Sequence, residues 1–212
     1  MNESVLNEKI QVRYLTKAAS NCCLSCGGAL DLADLKEGEI MLDLGSGRGM
    51  DVIKAVDIVS SSGFVYGVDY TDEMIKTAEK NIEKLKITNA KIIKSDISNI
   101  SLDSGSINVI ISNCVINHAL DKEKVFHEIF RLLKPEGRFI VSDVISEAEL
   151  PEEVKSDPEA WAKCYGGAVP KDEYFKAVKN AGFNSIDILE ESTPYEKGGV
   201  MVRSITIRSF KN

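Results

Sequence analysis

Met41-Leu42-Asp43-Leu44-Gly45-Ser46-Gly47-Arg48-Gly49-Met50-Asp51 carries a short apolar run straight into three glycines spaced by two, after which the chain turns helical. Glycine supplies positive φ and lets a ligand come close to the backbone. A strand that ends in Gly-x-Gly-x-Gly and opens a helix reads as a nucleotide-cradling turn. Purely local turns use glycines in the same way, so the surrounding chain has to decide what this one holds.

Outward from that stretch, the pattern repeats. Ile40–Leu44 reads as a strand and about 50–59 as a helix. Phe64–Asp69 is a second apolar run, followed by a helix capped at Thr71 or Asp72 with Ile75, Ala78, Ile82 and Leu85 on one face. Lys91–Lys94 is a third strand ending near Asp96, and Ile107–Ser112 a fourth, apolar enough to be buried on both faces. Asp121 caps a helix with Val125, Phe126, Ile129, Phe130 and Leu133 in register; Lys134–Gly137 ends it, and Arg138–Val144 is a fifth strand. Five β–α alternations predict a mostly parallel sheet with helices on both faces. Beyond it, residues 146–170 carry acids, three prolines and a Gly-Gly pair and read as an insertion. A helix over about 171–180 follows, then Ser185–Leu189 and Val200–Ile207, which can pair antiparallel at one sheet edge. At the other end, 3–19 reads as a helix and Asn21–Gly28 as a cysteine-rich turn, giving an N-terminal unit over 1–35 and a ligand-binding domain over 36–212.

The bulk composition excludes several classes. A net charge of −7 without a long basic run argues against nucleic acid, whose binding rests on phosphate neutralisation. No apolar stretch approaches the roughly 20 residues of a membrane span. The first residues lack a basic then apolar export signal, so the expected location is the cytoplasm. Five cysteines in 212 residues are too few for a disulfide framework and point to metal, metalloid, catalytic or core roles.

Two ligands compete for the glycine turn, a dinucleotide and S-adenosylmethionine. The dinucleotide fingerprint wants a small residue where the helix meets the strand, and Met50 is not small. Asp43, two residues before the first glycine, can instead accept a hydrogen bond or ion pair from an α-amino group, which only the second ligand has. Asp69, twenty residues beyond Gly49, can accept from both ribose hydroxyls, and Asp96-Ile97 suits an adenine edge and face. Taken singly, Asp69 and Asp96 could as well be helix caps or solvated turn residues.

With these motifs the chain resembles the class I S-adenosylmethionine-dependent methyltransferases over about Leu35 to Ser209. The resemblance implies a Rossmann-like α/β fold: a mostly parallel, seven-stranded sheet with an antiparallel C-terminal pair. It places Asp43, Gly45, Ser46 and Gly47 at the methionine portion of the cofactor, and Asp69 and Tyr70 at the ribose. Asp96 and Ile97 fall at the adenine. Asn113 and Tyr14 are further candidates near the methyl end.

The acceptor is read from the end of the fourth strand, Ser112-Asn113-Cys114-Val115-Ile116-Asn117. Base-assisted O- or N-methylation wants a His, Asp or Glu there; the sequence offers Asn113 and Cys114, with His118 four residues on. Cys114 is either a small core residue or a soft ligand beside Cys26 and Cys164. Thiolates select thiophilic centres, and thiolate-bound As(III) keeps a lone pair that needs no deprotonation. The run Asn-Cys-Val-Ile-Asn, with Ser142-Asp143-Val144, Glu149–Glu153 and Cys164-Tyr165-Gly166-Gly167-Ala168, resembles the arsenite methyltransferases. That resemblance implies Cys26, Cys114 and Cys164 as arsenic ligands, a metalloid substrate and a thiol reductant. The alternatives are a small-molecule C- or O-methyltransferase of the quinone-biosynthesis type, with Asn113, His118 or water handling the proton, and a non-catalytic thiol sensor. Cys23-x-x-Cys26 has zinc spacing but lacks two further ligands. His127 is expected on a helix surface and Trp161 in packing.

Overall fold

The computed structural model describes residues 28–212. The readings that fall on the earlier residues, namely the 3–19 helix, Tyr14 and the cysteines at 22, 23 and 26, lie outside the described residues.

β1 (Ile40–Leu44), β2 (Phe64–Asp69), β3 (Ala90–Lys94), β4 (Ile107–Asn113) and β5 (Leu133–Ser146) run parallel. β8 (Val200–Phe210) lies antiparallel to β5, and β6 (Asp187–Glu191) and β7 (Tyr195–Lys197) both lie antiparallel to β8. The strand order is β3-β2-β1-β4-β5-β8-β6, with β7 beside β8. The order reverses between β1 and β4, so a crevice opens at the C-terminal ends of those two strands.

Alternation along the strands sends side chains into two cores. On one face Leu42, Leu44, Ile110, Phe139 and Val141 pack under α3 (Lys122–Leu132) and α6 (Lys171–Asn180). There Phe126, Phe139, Tyr174 and Phe183 form a chain of tilted and edge-on rings with centroids 4.8–5.7 Å apart. On the other face Met41, Val65, Val109, Ile111 and Ile140 meet α1 (Met50–Val59) and α2 (Asp72–Lys84). Ala29, Leu30 and Ala33 pack into this second core, so the expected 1–35 boundary cuts through residues that belong to the domain's packing. Arg138 pins the same segment: it donates to Ala33 O and Asp34 O and forms a two-pronged pair with Glu39.

Several boundaries differ from the sequence reading. The sheet has eight strands, because Tyr195–Lys197 folds back through Gly198-Gly199 onto Val200–Val202. Leu133 is the first residue of β5 and not the last of a helix; the strand bulges over 134–137, where Glu136 has φ 63°. Leu85 ends α2 exposed, with Met74 taking its expected place in the core. Thr71 stands at the N-cap of α2 without a side-chain cap bond, whereas Asp121 caps α3 by accepting from Lys124 N at 3.1 Å. The 146–170 insertion holds two short helices, α4 (Glu152–Lys155) and α5 (Pro158–Ala162). Among the described residues no helix is long and apolar enough to cross a membrane.

Candidate active site

The glycine turn closes β1 onto β2. Gly45 N and Ser46 N both donate to Val68 O, at 2.8 and 2.9 Å, and all three glycines have positive φ. Each is needed for a different reason. A side chain at Gly45 would stand 2.0 Å from Val115, so the turn packs directly on the segment after Cys114. One at Gly47 would meet nothing within 4 Å; it projects into open space.

Three carboxylates gather round that space. Asp69 accepts from Gly47 N at 2.9 Å and Thr71 N at 2.8 Å, tying the turn to the end of β2; burial nevertheless raises its pKa. Asp43 is buried and makes no hydrogen bond or ion pair among the described residues. Burial, then the charges of Asp51 and Asp69, hold it well above the usual carboxylate range. Three acids around an open crevice, one of them buried without a cation, suit a positively charged ligand. The buried Ser46 hydroxyl, also without a hydrogen-bond partner among the described residues, adds a polar atom to the same turn. The site therefore fits a ligand that brings an ammonium or sulfonium, the charges of S-adenosylmethionine.

The remaining cofactor candidates are placed less directly. Asp96 is exposed and its carboxylate accepts from Ser98 N and Ser98 Oγ at 2.7 Å, the turn-forming role considered as its bland reading, while Ile97 is half-buried against the first core. Tyr70 is 48% exposed. Asn113 spends its amide on Ala29 N (3.2 Å) and, more weakly, Asp51 (3.4 Å), joining the segment before β1 to the start of α1.

Cys114 and Cys164, fifty residues apart in sequence, meet. Cys114 follows β4 and is held by its N donating to Ser142 O at 2.8 Å; Cys164 follows α5 with its N on Trp161 O at 2.8 Å. Both are buried, neither is in a disulfide, and both adopt left-handed backbone, φ 56° and 66°. Such φ values are uncommon for side chains other than Gly, Asn and Asp and have to be imposed by the surroundings. The Cys114 thiol hydrogen-bonds Cys164, and His118 Nε2 lies 3.5 Å from the Cys164 sulfur. The Cys114 bond is the largest influence and, with His118 and the charge of Lys197, outweighs burial to bring Cys164 down to about pH 3. The surroundings of Cys164 favour its thiolate, with Cys114 as the hydrogen-bond partner.

Three residues here were given no role by the sequence, although two of them, Asn117 and Asp143, lie in the runs that carry the resemblance. Asn117, fully buried in the 3-10 turn Ile116–His118, donates to Val144 O (2.6 Å) and weakly to Cys164 O (3.4 Å), bracing the Cys164 loop against β5. Asp143, buried beneath the cysteines, accepts from Tyr174 OH at 3.1 Å and is pushed up to about 7, chiefly by burial. Lys197 arrives on the β7–β8 hairpin, whose Gly198 rests so closely on Tyr165 that a side chain there would come within 2.3 Å of its ring. The Gly-Gly pair was the available signal for that hairpin; Asn117 and Asp143 were marked only as members of the motifs, because their roles depend on burial against distant segments. His127 lies on the helix surface opposite Glu123, and Trp161 is packed with its Nε1 donating to Lys155 O, both as expected.

A glycine turn between β1 and α1, acids at the ends of adjacent parallel strands and a crevice at the strand-order reversal define a Rossmann-like ligand-binding domain. Residues 35–182 match the methyltransferase domain family, and the chain belongs to it. Within that class it is similar to the arsenite methyltransferase of Halobacterium salinarum, 38% identical over 174 residues, which cover 81% of this chain and 44% of the relative. It is 31% identical over 224 residues to that of Homo sapiens, covering 98% and 57%. The chain spans about half the length of the curated relatives it matches. Among solved structures it is similar to CrArsM, an arsenic(III) S-adenosylmethionine methyltransferase from Chlamydomonas reinhardtii, with TM-score 0.76 and 28% identity over 96% of this chain and 73% of that one. The phosphoethanolamine N-methyltransferase 2 of Haemonchus contortus shares the fold at TM-score 0.75 and 19% identity.

Proposed function

We propose that the chain is an enzyme that transfers the methyl group of S-adenosylmethionine to trivalent arsenic held by Cys114 and Cys164. The observation that carries this reading is the contact between those two thiols at the mouth of the glycine-turn crevice. Asp43, Gly45, Ser46 and Gly47 hold the methionine portion of the cofactor, with Asp69 and Tyr70 at the ribose and Asp96 and Ile97 toward the adenine. Asn113 positions the start of α1 against the segment before β1. When bound, the cofactor supplies an electrophilic methyl on a sulfonium sulfur. The arsenic lone pair forms the new bond while the carbon–sulfur bond breaks onto sulfur. No side chain has to take up a proton.

Cys114 and Cys164 hold the arsenic in line and in a dry pocket walled by Val144, Leu150, Ala168 and Val202. The transfer formally oxidises arsenic from the trivalent to the pentavalent state, a loss of two electrons, so return to the trivalent state calls for a thiol reductant that supplies two electrons and becomes a disulfide. In this reading the chain ahead of Gly28 contributes Cys26 as third ligand and Tyr14 at the cofactor, and residues 146–170 cap the substrate. Acidic balance and cysteines outside any disulfide suit a cytoplasmic protein without nucleic-acid or membrane partners.

The test is methyl transfer to arsenite with S-adenosylmethionine and excess thiol, resolved by mass. Cys114→Ser and Cys164→Ser are each expected to lower the rate at least about 100-fold with cofactor affinity unchanged within about twofold. Retained activity in either variant would make that cysteine a packing residue.

A further inference from the structure

The segment Ser95–Ser106 joins β3 to β4 with no regular structure beyond a tight turn at 96–99. Its first residue donates to Asp69 O from Ser95 N at 3.1 Å, so the segment starts against the acid at the end of β2. Within the turn Asn99 N donates to Asp96 O at 3.2 Å and Ser95 Oγ to Asn99 O at 2.7 Å. Ser98 N and Ser98 Oγ both donate to Asp96 Oδ1, which fixes one carboxylate oxygen; Oδ2 makes no hydrogen bond among the described residues.

The far end of the segment is held by α3. Ile100 N donates to Glu128 Oε1 at 2.7 Å, and Arg131 donates to Ile100 O and Leu102 O at 2.9 Å and to Ser104 Oγ at 3.0 Å. Glu128 and Arg131 are themselves joined as a two-pronged pair at 2.7 and 2.8 Å, with the Glu128 side chain only 9% exposed. Connecting segments ordinarily leave such backbone groups to water; here they converge on one ion pair whose planar fork fixes their geometry. The same helix starts just after the Cys114–His118 stretch, so one rigid element ties this segment to the thiols.

We propose that Glu128 and Arg131 are positioning residues for base selection in the cofactor: they hold the segment so that Asp96, oriented by Ser98, selects adenine over a base that lacks its exocyclic amino group. The proposal rests on the reading of Asp96 and Ile97 at the adenine. Asp96 Oδ2 can accept from an amino group and repels a carbonyl in its place. The size of that discrimination depends on where the carboxylate stands, and the fork sets it. An ion pair that served the fold alone would affect all ligands alike.

Calorimetric titration of the intact chain with S-adenosylhomocysteine and S-inosylhomocysteine, whose base carries a carbonyl for the amino group, reads base selection without turnover. The wild type is expected to bind the adenosyl ligand at least about tenfold more tightly. Arg131→Met should bring the two within about threefold, chiefly by weakening the adenosyl ligand, while affinity for phenylarsine oxide stays within about twofold. Two milder changes keep the test open if that variant does not fold. Arg131→Lys, which keeps the charge but not the fork, and Ser98→Ala, which removes one bond to Asp96, should each lower the preference about threefold. An unchanged preference in the Arg131 variants, or an equal loss for both ligands, would overturn the positioning role alone. Equal binding of the two ligands by the wild type, or a preference that survives Asp96→Ala, would overturn the adenine reading beneath it.

Discussion

Cys114 and Cys164 owe their chemistry to backbone conformations neither residue prefers. Each left-handed φ costs on the order of 1 kcal/mol, and the surrounding hydrogen bonds impose it to bring the sulfurs into contact. Because Cys114 and then His118 lower Cys164 to about pH 3, its alkylation by iodoacetamide should be independent of pH from about 5 to 8. In Cys114→Ala, which removes the largest influence, the rate should acquire a titration within that range; an unchanged flat profile would show that Cys114 is not the donor. Asn117 acts one step back. In Asn117→Asp a carboxylate replaces the amide donors that face Val144 O and Cys164 O. The dithiol should loosen: phenylarsine oxide, which needs two sulfurs, should bind at least about tenfold more weakly, while single-site alkylation of Cys164 changes little. An equal effect on both reagents would mean a general loss of structure.

Among the elements, the β1–α1 turn is the most constrained. It bonds to β2 through Val68 O, to Asp69 through Gly47 N, and touches Val115 at Gly45. Gly45→Ala has to place a methyl 2.0 Å from Val115 at φ 71°. Strain and overpacking should cost about 2–4 kcal/mol and weaken cofactor binding by more than Gly47→Ala does, although both glycines belong to one motif. Thermal melts with and without S-adenosylmethionine measure both effects, and equal behaviour of the two variants would refute the distinction. The β7–β8 hairpin makes the complementary point. A three-residue strand contributes little stability, yet it seats Gly198 on Tyr165 and brings Lys197 into the field of Cys164.

At the scale of the whole molecule, buried charge shapes stability against pH. Asp143 sits at about 7 in the folded chain, above its ordinary 3.8, because burial outweighs the neighbouring Lys122 charge. The folded state therefore holds its proton longer than the unfolded state. That stabilisation is complete below about pH 4 and is lost as pH rises through 7. Asp143→Asn cannot ionise and keeps an oxygen for Tyr174 OH. Its melting temperature relative to wild type should rise steadily between about pH 4.5 and 8; parallel curves would overturn the assignment.

How much of this was legible in the chain follows from range. Ile40–Leu44, the glycine turn, the five parallel strands and the cap at Asp121 depend on neighbours a few residues away, so periodicity and residue type determined them, and with them the methyltransferase class. Asp43 before the glycines and Met50 after them likewise selected S-adenosylmethionine over a dinucleotide, since both lie within the same short strand–turn–helix stretch. The bulge at 134–137, the Leu133 boundary and β7 escaped because each is fixed by pairing with a distant strand. The contact of two cysteines fifty residues apart was suggested by the softness of thiolates and by resemblance, not by any local pattern. Only tertiary structure could decide it, along with the Asn117 brace, the depressed Cys164 and the buried Asp143, because burial, left-handed strain and the field of Lys197 exist only once β4, β5 and the 146–170 insertion have packed together.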